Sequence, residues 1–156
     1  MTEMVRQIAG DRGKDVWVTE FGWPVHPRVS EEAQAAYLAR SFLLLSAADV
    51  RAACWYTLWD GPAPNPLIPE DSFGLFRWQD VAPAAQPPTP KPAWTELLRL
   101  VDNVGDLGFL EDLSNDPDTP EGWRSLLFAE PGGLRKVRAT WDPRSDAPPE
   151  YVDAGP

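Results

Sequence analysis

Residues 16–24 read VWVTEFGWP, and this stretch says more about the architecture than any other part of the chain. Apart from Glu20, residues 16–21 are β-branched or aromatic, and Gly22 and Pro24 end the run. This pattern predicts a short buried strand with a sharp exit. Ligands of open α/β sheets and of barrels bind beyond the carboxyl ends of the strands. Glu20, at the end of the strand, is therefore a candidate catalytic residue, with a structural ion pair as the alternative.

Helical and extended patterns alternate around this strand. Apolar residues at i, i+3, i+4 and i+7 predict a short amphipathic helix over residues 1–8. Ser30 is a good N-cap for a helix over about residues 31–47. Residues 52–58 predict a second strand, and Pro92 begins a third helix that ends near Asn103. The proline-rich segment 62–92 between them is expected to be loop, with residues 73–78 compatible with a short local ribbon.

The order of these elements predicts the fold class. Strands that alternate with helices indicate parallel βαβ units, either in an open doubly wound sheet or in a (β/α) barrel. Only two such strands fit before residue 104. Beyond it, residues 123–129 and 134–141 are strand-like and are joined by Glu-Pro-Gly-Gly, which predicts a β-hairpin. The tail from Asp142 to Pro156 is proline-rich and is expected to be loose.

Composition narrows the classes of partner and cofactor. The chain has 156 residues, about one domain, and its net charge of −10 disfavours nucleic acids and anionic membranes. No stretch approaches the roughly 20 apolar residues that span a bilayer, and no signal peptide follows Met1. One cysteine and one histidine argue against an intrachain disulfide and against zinc or copper sites. We expect no metal and no cofactor.

Tryptophans cluster where the two predicted strands end. Trp23 follows the first strand, and Trp55 and Trp59 lie on the second. Aromatic rings suit the C–H-rich faces of sugars, so these three are candidate carbohydrate-binding residues. His26, in the loop after the first strand, is a further candidate. Two other tryptophans, Trp17 and Trp94, and the lone cysteine, Cys54, are expected to be buried.

The same residues resemble a known family. Residues 16–24 resemble the seventh strand of clan A glycoside hydrolases, which are retaining (β/α)₈-barrel enzymes. The similarity continues in order through residues 29–38, 54–60, 73–76 and 91–94, which resemble the next helix, the eighth strand, the closing loop and the last helix. The nearest members are cellulase-like or family 39-like. The resemblance implies an α/β fold in which residues 1–103 form the last two βα units of a TIM barrel and residues 104–156 a small β-hairpin or β-domain extension.

The resemblance also implies a function. Glu20 matches the nucleophile that forms the glycosyl-enzyme, and Trp55 or Trp59 matches the aromatic platform on strand eight. Retaining hydrolysis needs a second carboxyl about 5–5.5 Å from the first, which in this clan usually follows an Asn, and the chain contains no Asn-Glu pair. A barrel typically needs about 250 residues. We therefore expect the last quarter to third of a retaining O-glycosyl hydrolase acting on β-linked glycosides or polysaccharides.

Two alternatives remain open at this point. The chain is either part of such an enzyme or a non-catalytic carbohydrate-binding or interaction module that kept the aromatic rim. A separately supplied N-terminal barrel half is a further candidate partner. Family members are often secreted, and the sequence leaves the localisation undetermined.

Overall fold

The computed structural model describes residue 10 and residues 13–62, 65, 67–78 and 87–155. The helix predicted over residues 1–8 lies outside the described residues. The described elements are, in order, β1 (Val16–Phe21), α1 (Glu31–Ala47), β2 (Val50–Trp55), a 3₁₀ helix (Pro69–Ser72), α2 (Pro92–Val104), β3 (Gly108–Asp112), β4 (Arg124–Ala129), β5 (Lys136–Trp141) and β6 (Glu150–Asp153). Within this part of the chain, no helix is both long and apolar enough to cross a membrane.

The first sheet consists of β1 and β2, which pair in parallel, with α1 as the connection between them. The register places Val16 beside Val50 and Phe21 beside Trp55, so both strands end at the same edge. α1 begins after Ser30, whose side chain accepts a backbone N–H of the first turn, as expected for an N-cap. The predicted strand–helix–strand unit is confirmed, but the predicted bounds of its second strand were wrong. β2 ends at Trp55 rather than at residue 58, so Trp59 lies beyond the strand.

Two burial predictions for this sheet were wrong. Trp17 is 64% exposed, and Cys54 is also exposed. Successive side chains of a strand point to opposite faces. Val18 contributes to a groove that Leu44 of α1 also lines, so Trp17 lies on the face of the sheet away from that helix. The local sequence marks the strand as apolar but does not say which of its faces is covered.

The segment after β2 is anchored by distant partners rather than by a local ribbon. Phe76 forms isolated bridges with Trp59 on one side and with Pro90 on the other. Pro90 leads directly into α2, where Pro92 occupies the first turn as predicted. Phe76 is therefore held between the region that follows β2 and the start of α2.

The second sheet is antiparallel and has the order β3-β4-β5-β6. The hairpin predicted for β4 and β5 is confirmed at its centre. The expectation of a loose tail was wrong, because Glu150–Asp153 pairs with β5 and Tyr151 packs against the core. β3 was not predicted, because its sequence shows no alternation of apolar and polar residues. All of its residues are exposed in the structure.

The second sheet packs on both helices through one apolar core. This core contains residues of α1, α2, β4 and β5 and one residue of the connection between α2 and β3: Leu43, Leu100, Val104, Leu107, Leu126, Phe128, Val137, Ala139 and Trp141. Arg40 of α1 adds polar contacts, because its Nη2 donates to the carbonyls of Ser145 (2.7 Å) and Ala147 (2.5 Å). The apolar core therefore continues across residue 103.

A buried acid of α2 contacts β6. Glu96 is 6% exposed and accepts hydrogen bonds from Arg99 Nη1 (3.2 Å) and from the Tyr151 hydroxyl (3.4 Å). Arg99 also lies over the Tyr151 ring and donates to the Pro149 carbonyl. Burial raises the pKa of Glu96 above its ordinary value of 4.5, although Arg99 opposes the shift.

This shift predicts a specific pH dependence of stability. Native Glu96 binds its proton more tightly than unfolded Glu96, so its contribution to the free energy of unfolding is present below pH 4.5 and is lost as the pH rises through the native pKa. The free energy of unfolding of Glu96→Gln, measured relative to wild type, should therefore increase from about pH 4 to about pH 7. Glu150→Gln, at an exposed position of β6, is the control for loss of a carboxylate. A difference in the free energy of unfolding between Glu96→Gln and wild type that does not change with pH would contradict the raised pKa of Glu96.

Candidate functional site

The ends of β1 and β2 are locked side by side. Tyr56 N donates to the Phe21 carbonyl at 2.7 Å, which continues the contact beyond the last residue of β2. A Cβ on Gly22 would lie 2.2 Å from the Tyr56 carbonyl oxygen, so glycine is required for this close approach. The chain therefore leaves both strands at one fixed place.

Glu20 lies in the irregular end of β1. The pairing register shifts between Val18 and Phe21, and such irregularities often redirect a side chain beside a functional site. Its carboxylate is exposed to solvent. In the described part of the chain, no group of three or more His, Cys, Asp or Glu side chains is arranged to hold a metal ion.

Trp55 is packed into the fold. Its indole Nε1 donates to the Phe73 carbonyl at 3.1 Å, and its ring meets the Phe21 ring edge-on at 5.5 Å. Phe21 in turn contacts the Phe42 ring of α1 at 5.1 Å. Both the polar and the apolar parts of Trp55 are thus used to join β1, β2 and the following segment.

Trp59 presents a supported aromatic surface. Its side chain is 41% exposed, and its ring lies tilted on the Phe76 ring at 5.3 Å. Phe76 lies on the ring of Trp94, the first-turn tryptophan of α2, at 4.9 Å. Trp94 is partly buried against the core, as expected. A rigid, exposed ring of this kind can stack on the apolar face of a sugar.

Trp23 and His26 lie on the α1 side. Trp23 Nε1 donates to Ser41 Oγ at 3.1 Å, and the Trp23 ring contacts Tyr37 edge-on. His26 Nδ1 accepts from Arg28 N at 3.3 Å. Trp23, His26 and Tyr37 line a groove of about 510 Å³ that also touches the second sheet. The structure therefore brings Trp23 and His26, from the loop between β1 and α1, together in one groove against α1.

The ends of β1 and β2 with the residues that follow them, called the rim from here on, are held together by a buried polar hub that was not predicted from the sequence. The Ser72 carbonyl accepts from Val25 N (3.0 Å), Gln34 Nε2 (3.2 Å) and Lys91 Nζ (3.2 Å). Lys91 also pairs with Asp60 at 3.1 Å. We use the name polar hub for Asp60, Lys91, Gln34 and the Ser72 carbonyl. Lysine and glutamine are seldom fully buried, so no local pattern indicates these residues.

Burying the two charges of the hub costs free energy, and the ion pair between them opposes that cost. Lys91 is 1% exposed and Asp60 is 6% exposed. Burial lowers the pKa of Lys91, and the Asp60 carboxylate partly restores it. Removing one member of such a pair leaves an uncompensated buried charge, which costs about 3–5 kcal/mol. Each charge of the Lys91–Asp60 pair therefore depends on the other.

Comparison with solved structures finds a family 39 glycoside hydrolase from the gut symbiont Bacteroides cellulosilyticus WH2, with a TM-score of 0.70 and 24% sequence identity. The match covers 93% of this chain and 28% of that one. No protein-family model matches the sequence, and no curated protein matches it either. The chain thus has a mixed α/β fold that is similar to part of a glycoside hydrolase.

The two rim tryptophans should respond differently to truncation. Trp55→Ala removes packed contacts and a hydrogen bond, so it should lower the free energy of unfolding by about 3 kcal/mol. Trp59→Ala removes an exposed ring with one supporting contact and should cost about 1 kcal/mol. Chemical denaturation measures both values. Trp78→Ala, which removes a side chain that is 43% exposed, is the matched control. Equal losses for Trp55 and Trp59 would contradict the described geometry.

Proposed function

We propose that this chain supplies the nucleophile-bearing part of a retaining O-glycosyl hydrolase that acts on β-linked glycosides or polysaccharides. The observation that carries the proposal is the exposed carboxylate of Glu20 at the carboxyl end of β1, beside the end of a parallel strand. The similarity in fold to part of a family 39 glycoside hydrolase supports it. In this proposal the last two βα units of a barrel span residues 1–103, and residues 104–156 are a trailing β-domain.

The chemistry assigns one role to Glu20. Its carboxylate attacks the anomeric carbon, and the bond from that carbon to the leaving oxygen breaks as a second carboxyl protonates that oxygen. Water then attacks the glycosyl ester, while the second carboxylate removes a proton from the water. The Glu20 carboxylate is released at the end of the cycle. Trp59 holds the sugar by stacking.

The second carboxyl is proposed to come from a preceding part of a barrel. In the described residues, β1 pairs with β2 alone and its other edge is free. Beside that edge is an apolar groove of about 300 Å³, lined by Val18, Phe21 and Leu44 among others. Leu44 is 46% exposed there. A free strand edge next to exposed apolar surface favours the addition of a further strand–helix unit.

The isolated chain should not hydrolyse glycosides. Retaining hydrolysis needs two carboxyls about 5–5.5 Å apart, and the proposal places only one of them in this chain. An assay with an aryl β-glycoside should therefore show no turnover above background. Turnover that disappears in Glu20→Gln would mean that the chain holds both carboxyls.

A chimera tests the role of Glu20 itself. The chain would replace the part of the Bacteroides cellulosilyticus family 39 glycoside hydrolase on which it superposes, and circular dichroism would establish folding. We expect hydrolysis of an aryl β-glycoside that falls about 10⁴-fold in Glu20→Gln. Azide should rescue Glu20→Ala and yield a glycosyl azide of inverted configuration, because one displacement then replaces two.

The exposed Glu32 of α1 provides the control, and Glu32→Gln should leave the rate unchanged. Two results would reject the nucleophile assignment. In the first, a folded chimera hydrolyses the substrate and keeps its rate in Glu20→Gln. In the second, azide restores no activity to Glu20→Ala in an otherwise active chimera.

The exposed ring of Trp59 also favours a second candidate function, a non-catalytic carbohydrate-binding module. That function requires an aromatic platform but no nucleophile. Titration of the chain with β-linked oligosaccharides separates the two candidates. Affinity that is lost in Trp59→Ala and unchanged in Glu20→Gln, together with an inactive but folded chimera, would favour the binding module.

A further inference from the structure

The backbone at Trp59 and Asp60 is fixed on several sides. Asp60 N donates to the Phe76 carbonyl at 2.9 Å, and Gly74 N donates to Asp60 Oδ1 at 2.8 Å. A Cβ on Gly74 would lie 2.4 Å from the carbonyl carbon of Trp59 and 2.1 Å from Asp60 N. The two segments are thus in direct backbone contact, and the Trp59 ring rests on the Phe76 ring from the same segment.

Lys91 contacts Asp60 and the Ser72 carbonyl in this arrangement. Its ammonium group lies 3.1 Å and 3.4 Å from the two Asp60 carboxylate oxygens and donates to the Ser72 carbonyl at 3.2 Å. Lys91 N also donates to the Leu75 carbonyl at 2.9 Å. Lys91 immediately precedes α2, whose Trp94 supports Phe76. One residue therefore joins the backbone of the platform to the helix that supports its ring stack.

We infer that Lys91 is a positioning residue for the Trp59 sugar platform and acts on it through Asp60. A buried ion pair contributes little net stability compared with apolar residues of similar volume, and a role in fixing one arrangement is a reason to retain it. Here Lys91 and Asp60 contact each other, and they also contact the Ser72 carbonyl and the Gly74 N–H respectively. Apolar side chains could not form these directional contacts. The inference rests on the proposed role of Trp59 in sugar binding.

Fluorine NMR can observe Trp59 directly. The chain is labelled with 5-fluorotryptophan, which gives one resonance for each of its eight tryptophans, and Trp59→Phe identifies the Trp59 signal. Lys91→Met keeps the length of the side chain and removes its charge. Asp60→Asn is the milder variant, because it keeps an oxygen for Gly74 N–H. Lys136→Met, on β5, is the control for loss of a lysine charge.

We expect the Trp59 resonance to shift or split in Lys91→Met and in Asp60→Asn, with the Trp123 and Trp141 resonances unchanged. Lys136→Met should leave the Trp59 resonance in place. If Lys91→Met unfolds, all eight resonances collapse toward the unfolded position, and Asp60→Asn decides the result. A folded variant that is destabilised but keeps the wild-type Trp59 resonance would overturn the inference.

Titration with cellohexaose or xylohexaose separates this inference from the proposed function. Wild-type Trp59 should shift on binding, and Asp60→Asn should bind about tenfold more weakly. If the sugar does not shift the Trp59 resonance of the wild type, the proposed sugar platform is wrong. The positioning role of Lys91 is then judged from the spectra recorded without sugar. A wild-type shift with equal affinity in Asp60→Asn would overturn the positioning role alone.

Discussion

The buried pair between Lys91 and Asp60 is the constraint on which the rim of this molecule depends. Among the described residues between β2 and α2, the 3₁₀ helix Pro69–Ser72 is the only regular element, so many backbone groups need partners from elsewhere. The Ser72 carbonyl takes three donors from three separate parts of the chain, and Lys91 connects that carbonyl to Asp60. Because the pair is buried, removing either charge leaves the other uncompensated. The rim is thereby restricted to one arrangement, in which the Trp59 ring is exposed to solvent and the Trp55 ring is packed against Phe21.

The described part of the molecule combines a continuous apolar core under the second sheet with an open strand edge in the first. The second sheet covers α1 and α2 through a continuous apolar core, and Glu96 and Arg99 join α2 to the last strand. In the first sheet, by contrast, β1 has a free edge among the described residues, and Trp17 of β1 and Leu44 of α1 are exposed to solvent. This asymmetry is the physical reason to propose that preceding strand–helix units complete the site around Glu20.

Local patterns predicted the elements that depend on local interactions. β1 has the predicted bounds because its β-branched and aromatic residues end at a glycine and a proline, and α1 starts where Ser30 provides a cap. Tertiary contacts decided the rest. The exposure of Trp17 depends on which face the helix covers, and the order of the tail depends on pairing with β5 and on Tyr151. The partners of Lys91 lie about 20 and 30 residues away, beyond any periodicity.

The central claim is that Glu20 bonds covalently to a sugar, and mass spectrometry of a trapped intermediate tests it most directly. The assembled chimera would be treated with a dinitrophenyl 2-deoxy-2-fluoro-β-glycoside, whose leaving group departs without an acid and whose fluorine slows release of the glycosyl-enzyme. The account predicts inactivation, with one sugar attached to the peptide that contains residues 16–24 and fragmentation placing it on Glu20. Inactivation with the sugar on another residue, or an active enzyme that acquires no label, would contradict the account.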